Sequence, residues 1–204
     1  MRTKYKPWAL PFLKEHSDIA YPTFKEDKFF NHPLEMEIGG GKGDFIISQA
    51  VKHPKVHYLM IERVISVAAP AVKKIIENDI NNVRVVYDNF INVAHALKDC
   101  SVNKIYLNFS DPWPKKKHAK RRLTSPLFMT DYYRILKDDG LIIFKTDQKP
   151  LYEYTKLVLD QEKFIIILDN PHYNKLDKDD SLTEYETKFR KEKKMIYRLI
   201  LKKV

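Results

Sequence analysis

Asp111 is a lone carboxylate in an unusual stretch, Asn108 to Thr124, which reads NFSDPWPKKKHAKRRLT. An apolar run, Ile105 to Phe109, delivers it into a Pro-Trp-Pro turn. Pro112 and Pro114 fix φ and remove two backbone donors, so a strand must stop there and present its side chains in a stiff loop. Trp113 offers a flat face for a base, while Lys115, Lys116, Lys117, Lys120, Arg121 and Arg122 can neutralise phosphates, with His118 among them. Such a loop suits an acidic substrate with a flat ring. The alternative is a solvated basic loop with Trp113 tucked into the core.

Three more acids occupy equivalent places. Leu34 to Ile38 is a short apolar-rich strand with Glu37 at its end; Val56 to Ile61 runs into Glu62; Val83 to Tyr87 runs into Asp88 and Asn89. Asn103 to Phe109 is the strand ahead of Asp111. Gly39, Gly40, Gly41 and Gly43, four of the five glycines in the chain, follow the first of these strands, and a helix beginning at Asp44 follows them. Strand, glycine loop and helix make the first unit of a nucleotide-binding α/β sheet, and ligands of such sheets bind outside the carboxyl ends of the strands. The loop is not a phosphate-binding Walker loop, because Lys42 is not followed by Ser or Thr.

All four acids should therefore converge on one crevice. Glu62, about 20 positions beyond the glycine loop, is placed to accept from both ribose hydroxyls of a nucleoside, its alternative being an ion pair with Arg63 or Lys73. Asp88 or Asn89 can take an adenine amine, and Asp88 can also cap the helix around Ile91 to Lys98. A site with four carboxylates repels a pyrophosphate and welcomes a cation, which favours S-adenosylmethionine, with its ammonium and sulfonium, over a dinucleotide.

The composition agrees with a single globular domain that handles nucleic acid. The chain has 204 residues, 44% of them hydrophobic, and carries 37 Lys and Arg against 27 Asp and Glu, a formal charge of +10. No apolar run approaches the ~20 residues that span a bilayer and no secretory leader is evident, so no membrane partner and a cytoplasmic location are expected. Cys100, the one cysteine, cannot form an intrachain disulfide, and it reads as a packing or turn residue. The seven histidines show no metal-ligand spacing beside cysteine, so no metal is expected.

Residues 1–33 read as an irregular N-terminal arm, with Arg2, Lys4, Lys6 and Lys14 interleaved among Tyr5, Trp8, Phe12, Tyr21 and Phe24, which either serve nucleic acid or pin the arm to the core. Val64 to Asn78 has helical periodicity, with Pro70 either starting the regular helix or kinking it. Ser125 caps a helix running to Lys137, Lys137 to Gly140 forms a turn, and Leu141 to Lys145 is a fifth strand leading to Thr146 and Asp147. A helix, Leu151 to Gln161, comes next. Strands Phe164 to Leu168 and Met195 to Leu201 are joined by a long polar connection, Asp169 to Lys194, which holds Thr183, Glu184, Tyr185 and Glu186 and is either functional or a charged surface loop.

Taken together, EIGGGKG at Glu37 to Gly43, the DPWPKKKHAKRR stretch, KTDQ at Lys145 to Gln148 and TEYE at Thr183 to Glu186 closely resemble the bacterial tRNA (guanine-N7)-methyltransferases, over nearly the whole chain from about Leu34. The resemblance implies a class I, Rossmann-like methyltransferase fold over residues 34–204: a mostly parallel seven-stranded sheet with an antiparallel last strand and helices on both faces. It implies methyl transfer from S-adenosylmethionine to N7 of a guanosine in the tRNA variable loop. By matching positions, Glu37, Gly39, Glu62, the Asp88/Asn89 pair and Asp111 would contact the cofactor. Lys115, Asp147, Thr183, Glu184, Tyr185 and Glu186 would contact the substrate nucleotide, Asp147 and Glu186 gripping the guanine N1 and N2 donors. Asp111 would be the catalytic residue, acting electrostatically, and Lys116, Lys117, Lys120, Arg121 and Arg122 would hold RNA phosphates. Asp88-Asn89 stands where relatives often show Asp-Ala, which leaves open which of the two meets adenine. The alternatives are a methyltransferase acting on another base or atom, and a non-catalytic RNA-binding protein on the same fold. The oligomeric state, monomer or homodimer, is not read from these motifs.

Overall fold

The computed structural model describes residues 4–204; Arg2 of the expected arm lies outside the described residues. The strands are β1 (Ala20–Tyr21), β2 (Leu34–Ile38), β3 (His57–Ile61), β4 (Val83–Val86), β5 (Val102–Asn108), β6 (Leu136–Thr146), β7 (Phe164–Asn170) and β8 (Tyr197–Lys203). The helices are α1 (Ala9–Glu15), α2 (Asp44–Lys52), α3 (Ile65–Glu77), α4 (Phe90–Ala96), α5 (Pro126–Ile135), α6 (Lys149–Leu157) and α7 (Glu184–Lys191). They build one sheet in the order β1-β4-β3-β2-β5-β6-β8-β7, parallel from β1 to β6 and antiparallel where β8 meets β6 and β7. From β2 the chain moves outward to β3 and β4, then returns to the other side of β2 to lay down β5 and β6. The gap between β2 and β5 is thus the point where strand order reverses, and loops on either side of it diverge to leave a crevice.

Strand residues alternate between two helical layers, as a sheet covered on both faces requires. Met36, Ile38, Leu59 and Ile61 join Phe90, Val93, Phe128, Tyr132 and Leu151 of α4 to α6 in one core. Tyr58, Met60, Val83 and Val85 face the other way, onto Leu13, Ile46, Ala68, Val72 and Ile75 of α1 to α3.

The architecture expected from the motifs is present, with differences of detail. The sheet has eight strands rather than seven, because the N-terminal segment is not an irregular arm. It forms α1 and then β1, which pairs in parallel with β4 through Ala20↔Val85 and Tyr21↔Val86. Leu13, Phe24 and Phe29 are buried, so most of its apolar residues pin it down. Pro70 lies inside α3, which continues through it. The expected turn at Lys137 to Gly140 is a bulge within one long strand: Val102 pairs with Leu136 and Lys104 with Leu141, and Asp139 takes up the extra residues at φ 61°. The long polar connection before β8 contains a helix, α7.

Candidate active site

The crevice starts at the glycine loop. Gly39 N–H donates to the Ile61 carbonyl at 2.8 Å, folding the loop across the end of β3. Gly39 is left-handed at φ 77°, and a Cβ there would meet nothing within 4 Å, so this position faces open space. Gly40 is the reverse case: a Cβ would sit 2.4 Å from Met60 Cγ and 3.2 Å from Glu37 Oε2. Backbone and acid are thereby packed as closely as a glycine permits.

Glu37 is buried, and its Oε1 accepts from Asn108 Nδ2 at 2.9 Å. Among the described residues its Oε2 has no partner, nor do the buried Asn108 Oδ1 and Ser110 Oγ. Burial pushes the Glu37 carboxyl up to about 7; Asn108 and the Lys145 ammonium oppose the rise, and the charges of Glu62 and Asp44 add to it. Glu62 accepts from Val64 N–H at 2.9 Å and Gly41 N–H at 3.2 Å. Its pKa is also raised, chiefly by burial, with Asp111 contributing. Glu62 is therefore close enough to feel Asp111, and Glu37 to feel Glu62, across the β3-β2-β5 rim.

Asp88 is partly spent on its own turn, where its Oδ1 accepts from Asn89 N–H at 2.6 Å and Asn92 Nδ2 at 3.0 Å. Asn89, not Asp88, is the N-cap of α4, accepting from Ile91 N–H at 3.3 Å. Both remain at the β4 end of the same rim.

The loop after β5 is strained. Phe109 and Trp113, neither of them glycine, hold φ of 51° and 42°, and bulky residues in this region cost of order 1–3 kcal/mol each. Two contacts enforce the shape. Phe109 N–H donates to the Lys145 carbonyl at 2.8 Å, and the Arg122 guanidinium donates to the carbonyls of Pro112 and Trp113 at 3.1 Å while lying 4.2 Å from the Tyr154 ring centre. Arg122 is thus a clamp on the Pro-Trp-Pro turn, not the free phosphate ligand expected from the charge run. Arg121 lies over the half-buried Trp113 ring at 5.0 Å, and His118 meets the same ring edge-on. Lys115, Lys116, Lys117 and Lys120 are exposed around a short 3-10 turn, Lys116–Arg121.

The far wall is built by α7 and the segment before it. Thr183 caps α7, its Oγ1 accepting from Glu186 N–H at 2.9 Å. Glu186 is fully buried rather than open to a base: one oxygen accepts from Lys145 Nζ at 2.7 Å and the other from Arg190 Nη2 at 2.6 Å. The same Lys145 ammonium, itself fully buried, donates to both oxygens of Asp180 at 2.9 and 3.0 Å. Glu184 and Tyr185 stay exposed, Glu184 pairing with Lys42 of the glycine loop at 2.8 Å. The Phe109 and Phe189 rings, 5.6 Å apart, join this wall to the loop after β5. Asp147 is half-buried at the end of β6, accepting from Gln148 Nε2 at 2.7 Å.

A set of buried acceptors without donors, beneath a loop that only glycine can form, fits a cationic nucleoside cofactor better than a phosphate-bearing one. Residues 31–199 match a protein family described as "Putative methyltransferase". Over 98% of its length the chain is 37% identical to the tRNA (guanine-N(7)-)-methyltransferase of Staphylococcus saprophyticus, covering 98% of that protein. Against the enzyme of the same name from Staphylococcus haemolyticus it is 38% identical, covering 96%. The chain belongs to the tRNA (guanine-N7)-methyltransferase family. Among solved structures, this methyltransferase resembles a 30S ribosomal A1408 methyltransferase from an uncultured bacterium, with TM-score 0.62, 16% identity and coverage of 91% and 98% of the two chains. It also resembles a Streptococcus mutans protein solved in complex with SAH, with TM-score 0.57, 10% identity and coverage of 99% and 100%. These two show the fold. Among the described residues no cluster of His, Cys, Asp and Glu could hold a metal ion, and no helix is long and apolar enough to cross a membrane.

Reading the sequence missed two members of this site and gave a third another role. Asn108 orients Glu37 and Lys145 organises the α7 wall, while Arg122, expected at phosphates, clamps the loop. For α7 a signal existed: Thr-x-x-Glu at Thr183 to Glu186 is a capping-box pattern, which announces a helix start.

Proposed function

We propose that this methyltransferase transfers a methyl group from S-adenosylmethionine to N7 of a guanosine in the variable loop of tRNA. Its membership of the family supports the reaction; the observation that carries the site assignment is the gathering of Glu37, Glu62 and Asp111 beside a strained aromatic and basic loop. Bound S-adenosylmethionine supplies an electrophilic methyl on a sulfonium. Glu37, with Asn108 behind it, would take the ammonium; Glu62 would take the ribose hydroxyls on lone pairs left free by its two backbone donors; Asn89 or Asp88 would take the adenine amine, above the open face of Gly39.

Guanine N7 offers a lone pair and has no proton to lose, so no strong general base is needed. What the chain must do is hold N7 about 3 to 3.5 Å from the methyl carbon and stabilise charge appearing on the purine. Asp111 is the group for that, because the product base is a cation. Asp147, half-buried and open on one side, would accept from guanine N1 and N2. Glu186 would act at one remove, by fixing α7 so that Thr183, Glu184 and Tyr185 stand against the nucleotide. Lys115, Lys116, Lys117, Lys120 and Arg121 would meet phosphates.

The deciding experiment incubates an unmodified tRNA transcript with methyl-labelled S-adenosylmethionine and analyses the nucleosides. Label in 7-methylguanosine is expected; label in another nucleoside would identify a different base or atom as acceptor, and no label with intact tRNA binding would leave an RNA-binding protein. In the same assay Asp111→Ala is expected to lower turnover by at least 100-fold, in line with about 3 kcal/mol of lost transition-state stabilisation. Its affinity for tRNA should change little; loss of binding alone would remove Asp111 from the chemistry.

A further inference from the structure

Behind the Glu62 end of β3 lies a groove of about 450 Å³ that none of the assignments above uses. One wall is the N-terminal segment, with Tyr5, Lys6 and Leu10; the other is the start of α3, with Arg63, Ile65 and Ser66. The walls are tied together, since Lys6 N–H donates to Ser66 Oγ at 3.1 Å, and α1 packs on α3 through the buried Ala9 and Leu13. While most aromatics of the segment are buried, Tyr5 in the groove and Trp8 close by in the chain are not. Tyr5 is 83% exposed and Trp8 44%, with Lys6 Nζ over the Trp8 ring at 5.6 Å. Lys4, Lys6 and Arg63 form no ion pair with any acid among the described residues. Exposed rings interleaved with unpaired cations on a fixed backbone are what single-stranded nucleic acid stacks upon.

We propose that this groove is a second RNA-binding site, receiving an unpaired nucleotide of the substrate tRNA at a distance from the guanosine that is methylated. The base stacks on Tyr5, its phosphate meets Arg63 and Lys6, and the apolar floor at Leu10 and Ile65 covers the sugar. Because Arg63 directly follows Glu62, the groove lies next to the cofactor rim, so an RNA seated in both places is held at two points. The inference rests on the tRNA reading, but it is judged by binding: a wild-type protein that fails to form 7-methylguanosine would refute that reading alone.

The test measures tRNA affinity by fluorescence anisotropy with an unmodified transcript and S-adenosylhomocysteine affinity by calorimetry. Tyr5→Ala and Arg63→Gln are each expected to weaken tRNA about tenfold. Arg63→Gln should also reduce the slope of log K against log salt by about one. S-adenosylhomocysteine affinity should hold for both, and the loss in turnover should fall on KM for tRNA rather than on kcat. Tyr5→Phe should retain wild-type affinity. In wild-type protein, photocrosslinks from 4-thiouridine-substituted tRNA should map to residues 4–10, which gives a readout that no folding defect can disturb. The proposal is overturned if both variants bind tRNA within twofold of wild type, if the cofactor analogue is lost to the same degree as tRNA, or if no crosslink reaches that segment.

Discussion

A glutamate buried at the tip of a strand with one bare oxygen is costly to ionise, and that cost makes it responsive to any cation placed beside it. Glu37 meets this description. The groups facing it are Asn108 and Lys145, which favour the carboxylate, and Glu62 and Asp44, which oppose it; with burial they leave its pKa at about 7. Near neutral pH about half the molecules then carry the proton. A ligand ammonium favours the ionised form, so binding must expel that proton. The sign follows: affinity for S-adenosylmethionine falls by up to tenfold per pH unit below about 7, as the acid form of Glu37 takes over, and falls again above about 8, as the ligand's own α-ammonium loses its proton. Calorimetry at pH 7 in two buffers of different ionisation heat should detect release of about half a proton. Glu37→Gln should abolish both the release and the acid-side slope; an acid-side slope that survives the substitution would assign the proton elsewhere.

Among the elements, α7 illustrates how a catalytic wall can be legible as a motif and illegible as a structure. The strands β2 to β5 are readable because apolar runs end abruptly in Gly, Pro or acid, and α2 and α3 because their periodicity is plain. The segment before β8 has neither property. Its residues are mostly charged, and what folds it is an ion cluster 35 to 41 residues away in sequence from Lys145, a distance at which no local pattern speaks. The inward turn of Arg122 is hidden for a related reason: in a run of cations nothing in the spacing tells which one folds back on the chain. Lys145 is the joint of this wall, so Lys145→Met leaves Asp180 and Glu186 buried without their shared cation. The loss expected is about 3–5 kcal/mol, as for other broken buried pairs. Urea unfolding would measure it, and proteolysis should cut first within residues 171–194; a loss under 1 kcal/mol would mean water already reaches the cluster.

At the scale of the whole molecule, the N-terminal segment belongs to the methyltransferase core rather than to an appendage. β1 extends the sheet beyond β4, and Leu13 of α1 is fully buried against α3. Leu13→Ala should therefore lower global stability by about 2–5 kcal/mol with an unchanged m-value. A frayed arm would instead show no shift in the urea midpoint. The wall that α7 builds is joined to the rest of the molecule unevenly. Lys145 and its acids join the far wall to β6 in a dry interior, and Ser181 just ahead of α7 is held by Ser48 and Gln49 of α2, whereas Lys42 of the glycine loop and Glu184 of α7 pair with both side chains about half in water. A pair so wetted holds by at most about 1 kcal/mol and weakens further in salt. High salt therefore releases the surface contact between Lys42 and Glu184 well before it reaches the buried Lys145 cluster, which ions in solution screen far less.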